Sequence, residues 1–439
     1  MTPVELNRSR TVGSSTRRGF LTKLAGTGLL LAEGLETRGA VQRQESQVRT
    51  KRLPRWKARR VAEIPHGYQV AVADLNEDGR LDILALSSEE SIVEWYENPS
   101  WTARPITTRT TKNISLAPLF RPGYPSHGVA LATEFALEDN TRGGGLWWAT
   151  PPGSLDLEWP LRWIGRLPAS HRLRWADLDG DGRLELVDAP IVGPGAKPPD
   201  YSARAPLTWY REPEVLLRGH AAAAEEHGTG WEPHLIDNSL TVVHGLGVVD
   251  WDGDGRDELL TASFEGVHLF HAAGRGDSLR WTRTHLAAGD QDSKPSRGSS
   301  EIGMGRLGRQ RLLATIEPWH GDKVVVYLEP GSKTEPGKLW ERHVIDASFR
   351  DGHALACADL DGDDRDEIVA GFRGPGTSLY IYYALDSSGT KWDRQELDTQ
   401  MAASGVVVAD VNGDGRLDVV AVGASTGNVK WYENTGDGI

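Results

Sequence analysis

The chain has almost no cysteine, no excess of basic residues and, after residue 40, no long apolar run. Its 439 residues include one cysteine, Cys357, so an intrachain disulfide framework is excluded. The formal net charge of −13 argues against nucleic acid or an anionic membrane as a partner. No segment after residue 40 is apolar for long enough to anchor the chain stably in a membrane, and long helical patterns are also missing. Glycine and proline are plentiful instead, which favours an all-β chain.

Residues 1–45 are predicted to be a targeting segment with a linker. The stretch from Ser15 to Leu21 contains Arg17-Arg18 and resembles a twin-arginine export signal. The apolar stretch that follows, Leu24 to Ala32, is too short to remain as a membrane anchor. We therefore expect export to the periplasm or beyond, with residues 46–439 forming the folded domain. The sequence does not indicate an oligomeric state.

One acidic loop occurs five times, with oxygen-bearing side chains at positions 1, 3, 5 and 9 and usually glycine at position 6. This pattern suits Ca²⁺, and a final acid at position 9 instead of 12 excludes an EF-hand. We expect up to five structural Ca²⁺ ions, the weakest where Asp364 replaces the loop glycine. The predicted ligands are Asp74, Asn76, Asp78 and Asp82; Asp177, Asp179, Asp181 and Glu185; Asp250, Asp252, Asp254 and Glu258; Asp359, Asp361, Asp363 and Glu367; and Asp410, Asn412, Asp414 and Asp418.

The spacing of these loops predicts seven repeats. Two of the intervals between loops are about twice the last one, so two repeats have lost their loops. Seven tryptophans, each followed by an aliphatic residue, support this count: Trp56, Trp101, Trp159, Trp231, Trp281, Trp340 and Trp392. Four short strands in each repeat predict a seven-bladed β-propeller. The segment Trp56–Val61 is expected to supply the last strand of the seventh blade and so remove an exposed edge.

The residue six positions before the first ion ligand is histidine in four of the seven repeats. The seven residues are Tyr68, His127, His171, His244, Glu301, His353 and Ser404, and His66 is an alternative to Tyr68 in the first repeat. In the two loop-less repeats, the segments 127–133 and 301–307 correspond to 404–410 of the last repeat. Because these residues begin the innermost strands, they are expected to surround the mouth of the propeller opposite the ion loops.

The ends of the second strands should face the same mouth. The residues there include Ser88-Glu89, Asp188, Glu265, Glu317-Pro-Trp319-His320 and Arg373. Three interpretations of the histidines at the mouth remain open. They only donate hydrogen bonds to loop carbonyls, they hold a divalent metal together with a carboxylate, or they perform acid–base chemistry without a metal. The exposed face of a tryptophan such as Trp319 would suit the C–H face of a sugar.

The loops and their spacing resemble FG-GAP/VCBS repeat propellers, the class that includes the integrin α-chain head, over residues 54–436. The segment Ala314–Tyr327 and the His-Gly starts of the inner strands are similar to the propeller domain of the aldos-2-ulose dehydratase family. That resemblance implies removal of water from keto-sugars such as 1,5-anhydrofructose by β-elimination, with a metal in the propeller. The fungal members continue into cupin-type domains credited with a later isomerisation, so the resemblance over the propeller does not extend to that step.

The leading hypothesis is an exported carbon–oxygen lyase acting on a small keto-sugar of the aldos-2-ulose or 3-keto-glycoside type. A catalytic Mg²⁺, Mn²⁺ or Zn²⁺ would be held by His244, His353 and Glu317. The expected catalytic residues are His127, His171, His320 and Arg373, and the expected substrate contacts are Trp319, His66 and Glu265. The alternative is a non-catalytic, Ca²⁺-braced propeller that binds a glycan or a protein, as integrin heads do.

Overall fold

The computed structural model describes residues 53–213, 230–331 and 337–437, all within the compact unit Gln47–Ile439. The predicted export signal lies outside these residues. They contain 28 β-strands and one short 3-10 helix, Gly276–Ser278. No helix in these three ranges has the length and apolar character needed to span a bilayer.

The strands form seven four-stranded antiparallel sheets, as the sequence predicts. Blade one consists of β2 (Gly67–Ala73), β3 (Asp82–Ser87), β4 (Val93–Glu97) and β5 (Thr102–Thr107). Blade two consists of β6 (Ser115–Leu119), β7 (Gly128–Thr133), β8 (Gly145–Ala149) and β9 (Leu161–Arg166). Blade three consists of β10 (Ser170–Ala176), β11 (Glu185–Pro190), β12 (Leu207–Tyr210) and β13 (Pro233–Asp237). Blades four and five are β14 (Gly245–Val249), β15 (Glu258–Ser263), β16 (Gly266–Ala273) and β17 (Arg280–Ala287); and β18 (Ile302–Leu307), β19 (Gln310–Glu317), β20 (Lys323–Leu328) and β21 (Glu341–Asp346). Blades six and seven are β22 (Gly352–Ala358), β23 (Glu367–Phe372), β24 (Ser378–Ala384) and β25 (Trp392–Asp398); and β26 (Ala403–Ala409), β27 (Asp418–Gly423) and β28 (Asn428–Asp437), completed by β1 (Pro54–Glu63).

The ring is closed by pairing the two ends of the described chain in one blade. Strand β1 runs antiparallel to β28, with Ala58 opposite Tyr432. Arg59 reinforces the pairing because its Nε donates to Glu433 Oε2 at 2.7 Å. The predicted closure by the Trp56–Val61 segment is therefore confirmed, and β1 covers β28 as the outer strand of the last blade.

The hydrophobic core lies between adjacent blades. The second strands are buried along their whole length in six blades, because each is covered by a neighbouring blade on both faces. Trp95, Trp148 and Trp209 on the third strands are also fully buried. Most of the tryptophan surface thus contributes to packing, and Trp319 at the mouth is a separate case.

Five blades carry the acidic loop between their first and second strands. The carboxylate at position 9 is buried and accepts the backbone N–H of loop position 2, as in Asp82 with Leu75 at 3.0 Å. The residue at position 6 has a positive φ in every copy: 85°, 84°, 87° and 83° at the four glycines and 64° at Asp364. The backbone at Asp364 therefore has the strained conformation that the sequence predicts.

The second blade corrects the predicted register. Its innermost strand is Ser115–Leu119, and the segment after His127 forms the second strand, Gly128–Thr133. Ile114 donates its N–H to Ala132, just as His244 donates its N–H to Ala262, so Ile114 occupies the position assigned to His127. In the fifth blade the predicted inner strand, Ile302–Leu307, is confirmed, and a tight turn at Gly308 replaces the ion loop.

Candidate active site

Four histidines from four different blades meet near the propeller axis. His171 and His353 lie at the starts of β10 and β22, and His244 immediately precedes β14. His320 comes from the turn after β19, where its φ is 52°. The Nε2 atoms of His244 and His320 are 2.9 Å apart. We call these four residues the histidine cluster.

Tyr68 connects two members of the cluster. Its hydroxyl lies 2.7 Å from Nε2 of His171 and 3.1 Å from Nε2 of His353. Arg172 also faces His171, with its Nη1 3.0 Å from the same Nε2 atom. Since both neighbours can donate a hydrogen bond there, Nε2 of His171 is the acceptor and Nδ1 carries the proton. That Nδ1 is buried and has no partner among the described residues.

The orientation of two other imidazoles is fixed by outer partners. Nδ1 of His353 donates to the carbonyl of Ser404 at 2.6 Å, which leaves the lone pair on Nε2. Nδ1 of His244 lies 3.1 Å from Glu301 Oε1, although the geometry is not that of a regular hydrogen bond. Glu301 in turn accepts from Arg172 at 2.6 Å. Burial favours a higher pKa for Glu301, but Arg172 and His244 outweigh it and bring the pKa down to about 2.

The environment keeps the histidine cluster neutral. Burial is the main cause of the low pKa of His171, His320 and His353, each well below the usual value, and it also lowers the pKa of His244. The positive charges of Arg172 and Arg373 act in the same direction. Neutral imidazoles offer lone pairs, so the cluster can accept protons or coordinate a cation.

Three members of the cluster fit a cation of transition-metal type. His244, His320 and His353 each offer a nitrogen, and these nitrogens lie within 4.8 Å of one another. The Ser404 carbonyl and the Glu301 carboxylate orient two of the rings, as outer partners do at histidine-ligated metals. Imidazole ligands suit Zn²⁺ better than Ca²⁺.

A cavity of about 350 Å³ lies at the mouth, directly beside the cluster. Blades one and six supply polar side chains to its wall, and blades two, three and five supply most of the apolar ones. The polar residues include His66, Ser88, Glu89 and Arg373, and the apolar residues include Phe135, Leu137, Ile191 and Trp319. A volume of this size accommodates a monosaccharide-sized ligand.

The sequence matches family models in two segments. Residues 143–330 match the β-propeller domain of aldos-2-ulose dehydratase, and residues 359–421 match an FG-GAP-like repeat. The chain is a seven-bladed propeller that contains an FG-GAP-like repeat and resembles the aldos-2-ulose dehydratase propeller. Both resemblances stated from the sequence are thus confirmed.

Two known proteins show how far the similarity extends. Aldos-2-ulose dehydratase of Phanerodontia chrysosporium is 26% identical over 307 residues, which cover 64% of this chain and 32% of that protein. The match therefore spans about a third of the length of that curated relative. The β-propeller domain of Cps50 (Swd1) from Myceliophteria thermophila superposes with a TM-score of 0.50 at 10% identity, covering 86% of this chain and 99% of that domain. This second likeness shows the fold alone.

Arg373 and Trp319 lie in the cavity wall beside the cluster. Nη2 of Arg373 is 3.4 Å from Nδ1 of His320, and Nε of Arg373 donates to Asp351 at 2.7 Å. The Trp319 ring packs edge-on against Tyr201 and Phe264, at centroid distances of 5.5 and 5.7 Å. These contacts hold the indole rigidly in the wall.

Glu317 is not near the cluster, so its predicted role as a metal ligand is wrong. Its side chain is fully buried inside blade five. Oε1 accepts from Ser299 at 3.0 Å, Thr315 at 2.7 Å and Tyr327 at 2.6 Å, while Oε2 accepts from Arg342 at 2.7 Å. With both oxygens engaged, the carboxylate holds the blade together. The carboxylate that does reach the cluster is Glu301.

Glu265 and His127 are also displaced from their predicted places. Glu265 accepts the N–H and the hydroxyl of Thr241, at 2.8 and 2.6 Å, and does not line the cavity. Nδ1 of His127 lies 2.8 Å from Glu77, a residue of the first ion loop, which places this histidine at the opposite end of the propeller. It therefore cannot act with the cluster.

Four residues at the site were not assigned a role from the sequence: Tyr68, Arg172, Glu301 and Asp351. Tyr68 and Glu301 occupy the same register position as the histidines, so the alignment of repeats already contained their signal. Arg172 follows His171 directly but faces Glu301 across the axis, a contact between residues 129 positions apart. Only the assembled ring reveals that contact.

Proposed function

We propose that this propeller removes water from a small keto-sugar of the aldos-2-ulose type at its histidine-lined mouth. The observation that carries the proposal is a set of four neutral imidazoles with Tyr68 beside a cavity of monosaccharide size. The similarity to the aldos-2-ulose dehydratase propeller supports the class of substrate and the class of reaction.

His244, His320 and His353 would hold a divalent cation in this proposal. When bound, such an ion would polarise a carbonyl oxygen and so acidify the adjacent C–H bond. The protein itself keeps the three rings deprotonated by burial and orients them through Ser404 and Glu301. Glu301 also places one negative charge near the ligands.

His171, with its partner Tyr68, would carry the proton. The pair removes the proton from the carbon next to the carbonyl, and the electrons of that C–H bond form a C=C bond. The C–O bond to the hydroxyl on the next carbon breaks at the same stage. The departing oxygen takes up the proton that the pair received and leaves as water, so the net products are an enone and water.

The cavity wall would position the sugar. Arg373 is fixed by Asp351 and can donate to a sugar oxygen, because a guanidinium carries five N–H groups. Trp319 would cover the less polar C–H face of the ring. These two contacts orient the substrate and keep water from one side of it.

The test is turnover by the purified protein with an aldos-2-ulose or with 1,5-anhydrofructose. We expect a new ultraviolet absorbance from the enone. His171→Ala should lower the rate by about 10²- to 10⁴-fold, the usual contribution of an acid–base group. His343→Ala, on the outer strand of blade five, is the matched control and should retain full activity. Substrate binding without any turnover would instead support the non-catalytic glycan-binding alternative.

Elemental analysis tests the cation separately. The wild-type protein should retain about one transition-metal or Mg²⁺ ion after mild removal of Ca²⁺. The double variant His244→Ala/His353→Ala should lose that ion while keeping its Ca²⁺ content. If the double variant turns over substrate at the wild-type rate, a catalytic cation at these residues is excluded.

A further inference from the structure

A second, smaller cavity lies on the propeller axis, next to the histidine cluster and farther along the inner strands toward the ion loops. Its volume is about 70 Å³, enough for about two water molecules or one ion of halide size with a water. Its wall includes Tyr68, Arg172, Arg174, Glu301 and Ser404. We call it the axial cavity.

The axial cavity carries an unbalanced positive charge. Arg172 is matched by Glu301, 2.6 Å away. Arg174 has no carboxylate partner among the described residues, and its Nη1 donates only to the carbonyl of Leu173, at 2.8 Å. Burial, aided by repulsion from Arg172, lowers the pKa of Arg174 to about 10, so it is still charged at neutral pH. Arg174 is half-buried, and a charge without a carboxylate partner in such a place favours a nearby counter-ion.

Ser404 provides a second, independent sign of a ligand. Only 3% of this residue is exposed, and its Oγ has no hydrogen-bond partner among the described residues. Its carbonyl already accepts from His353, so the hydroxyl is the free group. Buried hydroxyls are almost always hydrogen-bonded, and this one can donate into the cavity.

The remaining groups of the wall do not favour a cation. The side-chain amide of Gln69 is used by the backbone of Leu116, as donor at 2.9 Å and acceptor at 3.1 Å. Glu301 is engaged by Arg172 and His244. Both contacts of Glu301 are made by Oε1, so Oε2 remains an acceptor in the wall, while the guanidinium of Arg174 and the hydroxyl of Ser404 are donors. A site with two free donors and excess positive charge selects an anion.

An anion can reach this site without passing the histidines. A larger cavity of about 350 Å³ shares Gln69, Val70, Arg174 and Val406 with the axial cavity and continues along the inner strands to Trp175 and Val72. We propose that the axial cavity binds one small monovalent anion of halide size between Arg174 and Ser404. This site shares Tyr68 with the wall of the mouth cavity and borders His353, but its anion would be held by other groups and does not depend on the reaction proposed at the mouth.

Bromide provides a direct probe. In crystals of the full chain soaked in bromide, we expect an anomalous peak within hydrogen-bond distance of the Arg174 guanidinium and the Ser404 hydroxyl. In solution, chloride or bromide should raise Tm by about 2–4 °C relative to gluconate at equal ionic strength. Sulfate should give no such specific increase because two charges and its size do not suit the cavity.

Arg174→Met removes the charge but keeps an unbranched side chain, and it should abolish the halide-specific rise in Tm. Arg309→Met, in the exposed turn between β18 and β19, is the matched control and should keep it. In gluconate, Arg174→Met should be at least as stable as the wild type, because it lacks the uncompensated charge.

Ser404→Ala is the second test variant, for use if Arg174→Met does not fold. This substitution removes only one oxygen atom. It should weaken halide binding at least threefold. A halide response that is unchanged in both variants, or no bromide peak at Arg174, would overturn the proposal. A larger response to sulfate than to chloride would overturn the assignment to a small monovalent ion.

Discussion

The two ends of the inner strands are built in opposite ways. At one end, each acidic loop closes on itself: Asp74 accepts the N–H of Gly79, five residues later, at 2.8 Å. At the other end, the contacts join distant blades, as between Tyr68 and His353, which are 285 residues apart. Each loop buries its acid at position 9 and leaves most of its other acids at least partly exposed, whereas three of the four clustered histidines are buried. Local closure suits structural support, and convergence from several blades suits chemistry.

The largest effect should come from emptying the ion loops. If the five loops bind Ca²⁺, chelation should lower Tm strongly, since each site filled at 100 times its Kd contributes about 2.7 kcal/mol to the free energy of unfolding. Thermal unfolding with and without a chelator measures this. Activity per folded molecule should be unchanged at low temperature. An unchanged Tm would show that the loops do not support the blades through bound ions.

The next effect concerns the histidine end, where Tyr68→Phe removes only the bridging hydroxyl. We expect kcat to fall about 10²-fold, with KM nearly unchanged, because the proton-carrying pair is broken. Stability should change by about 1 kcal/mol or less, the usual net value of one hydrogen bond. Tyr380→Phe, on β24, is the control. A parallel loss of Tm and activity would mean that Tyr68 is structural.

A smaller effect involves pH and depends on Asp188, a buried carboxyl on the second strand of blade three. Burial raises the pKa of Asp188 to about 8, although Ser170 donates a hydrogen bond to it at 2.8 Å. The folded state therefore keeps a proton between about pH 4 and 8 that the unfolded state has lost. Stability contributed by this group is present at low pH and falls as the pH rises through that window, by at most about 1.4 kcal/mol per pH unit.

Urea unfolding at pH 5 and pH 7.5 tests this dependence. Asp188→Asn should reduce the loss of stability between the two pH values, while Asp393→Asn on the exposed strand β25 should leave it unchanged. The same slope in the wild type and in Asp188→Asn would show that Asp188 is ionised in the folded protein.

The smallest effect is expected for His127→Ala. Its contact with Glu77 is partly exposed, so the loss should be within about 0.5 kcal/mol, with no change in kcat. Thermal unfolding and the enone assay check both values. A large loss of activity would instead support the register predicted from the sequence, in which His127 begins the inner strand of the second blade.

Most of the fold could be predicted from the repeats, because the acidic loops and tryptophans that define them are local sequence patterns. The acidic loops and the tryptophans gave the number of blades, the strand order and the closure by β1. The prediction failed in the second blade, where the loop is lost and the apolar run after His127 imitates an inner strand. The true inner strand, Ser115–Leu119, is short and contains Pro118, which conceals it.

The candidate site was only partly predictable, because local sequence signals do not show contacts between different strands. The register position identified His171, His244 and His353, and it also contained Tyr68 and Glu301. Glu317 was misplaced because its partners, Tyr327 and Arg342, come from neighbouring strands and are not visible from its own segment. A carboxylate near a predicted mouth can equally well be a buried structural group.

The sequence by itself determined the blades, because each loop and each strand pair depends on residues close together in the chain. Only the tertiary structure decided which side chains meet at the axis. There, the inner strands converge within hydrogen-bond distance although hundreds of residues separate them. The direction of each side chain depends on the partner that the ring places beside it, such as Ser404 for His353 and Arg172 for Glu301.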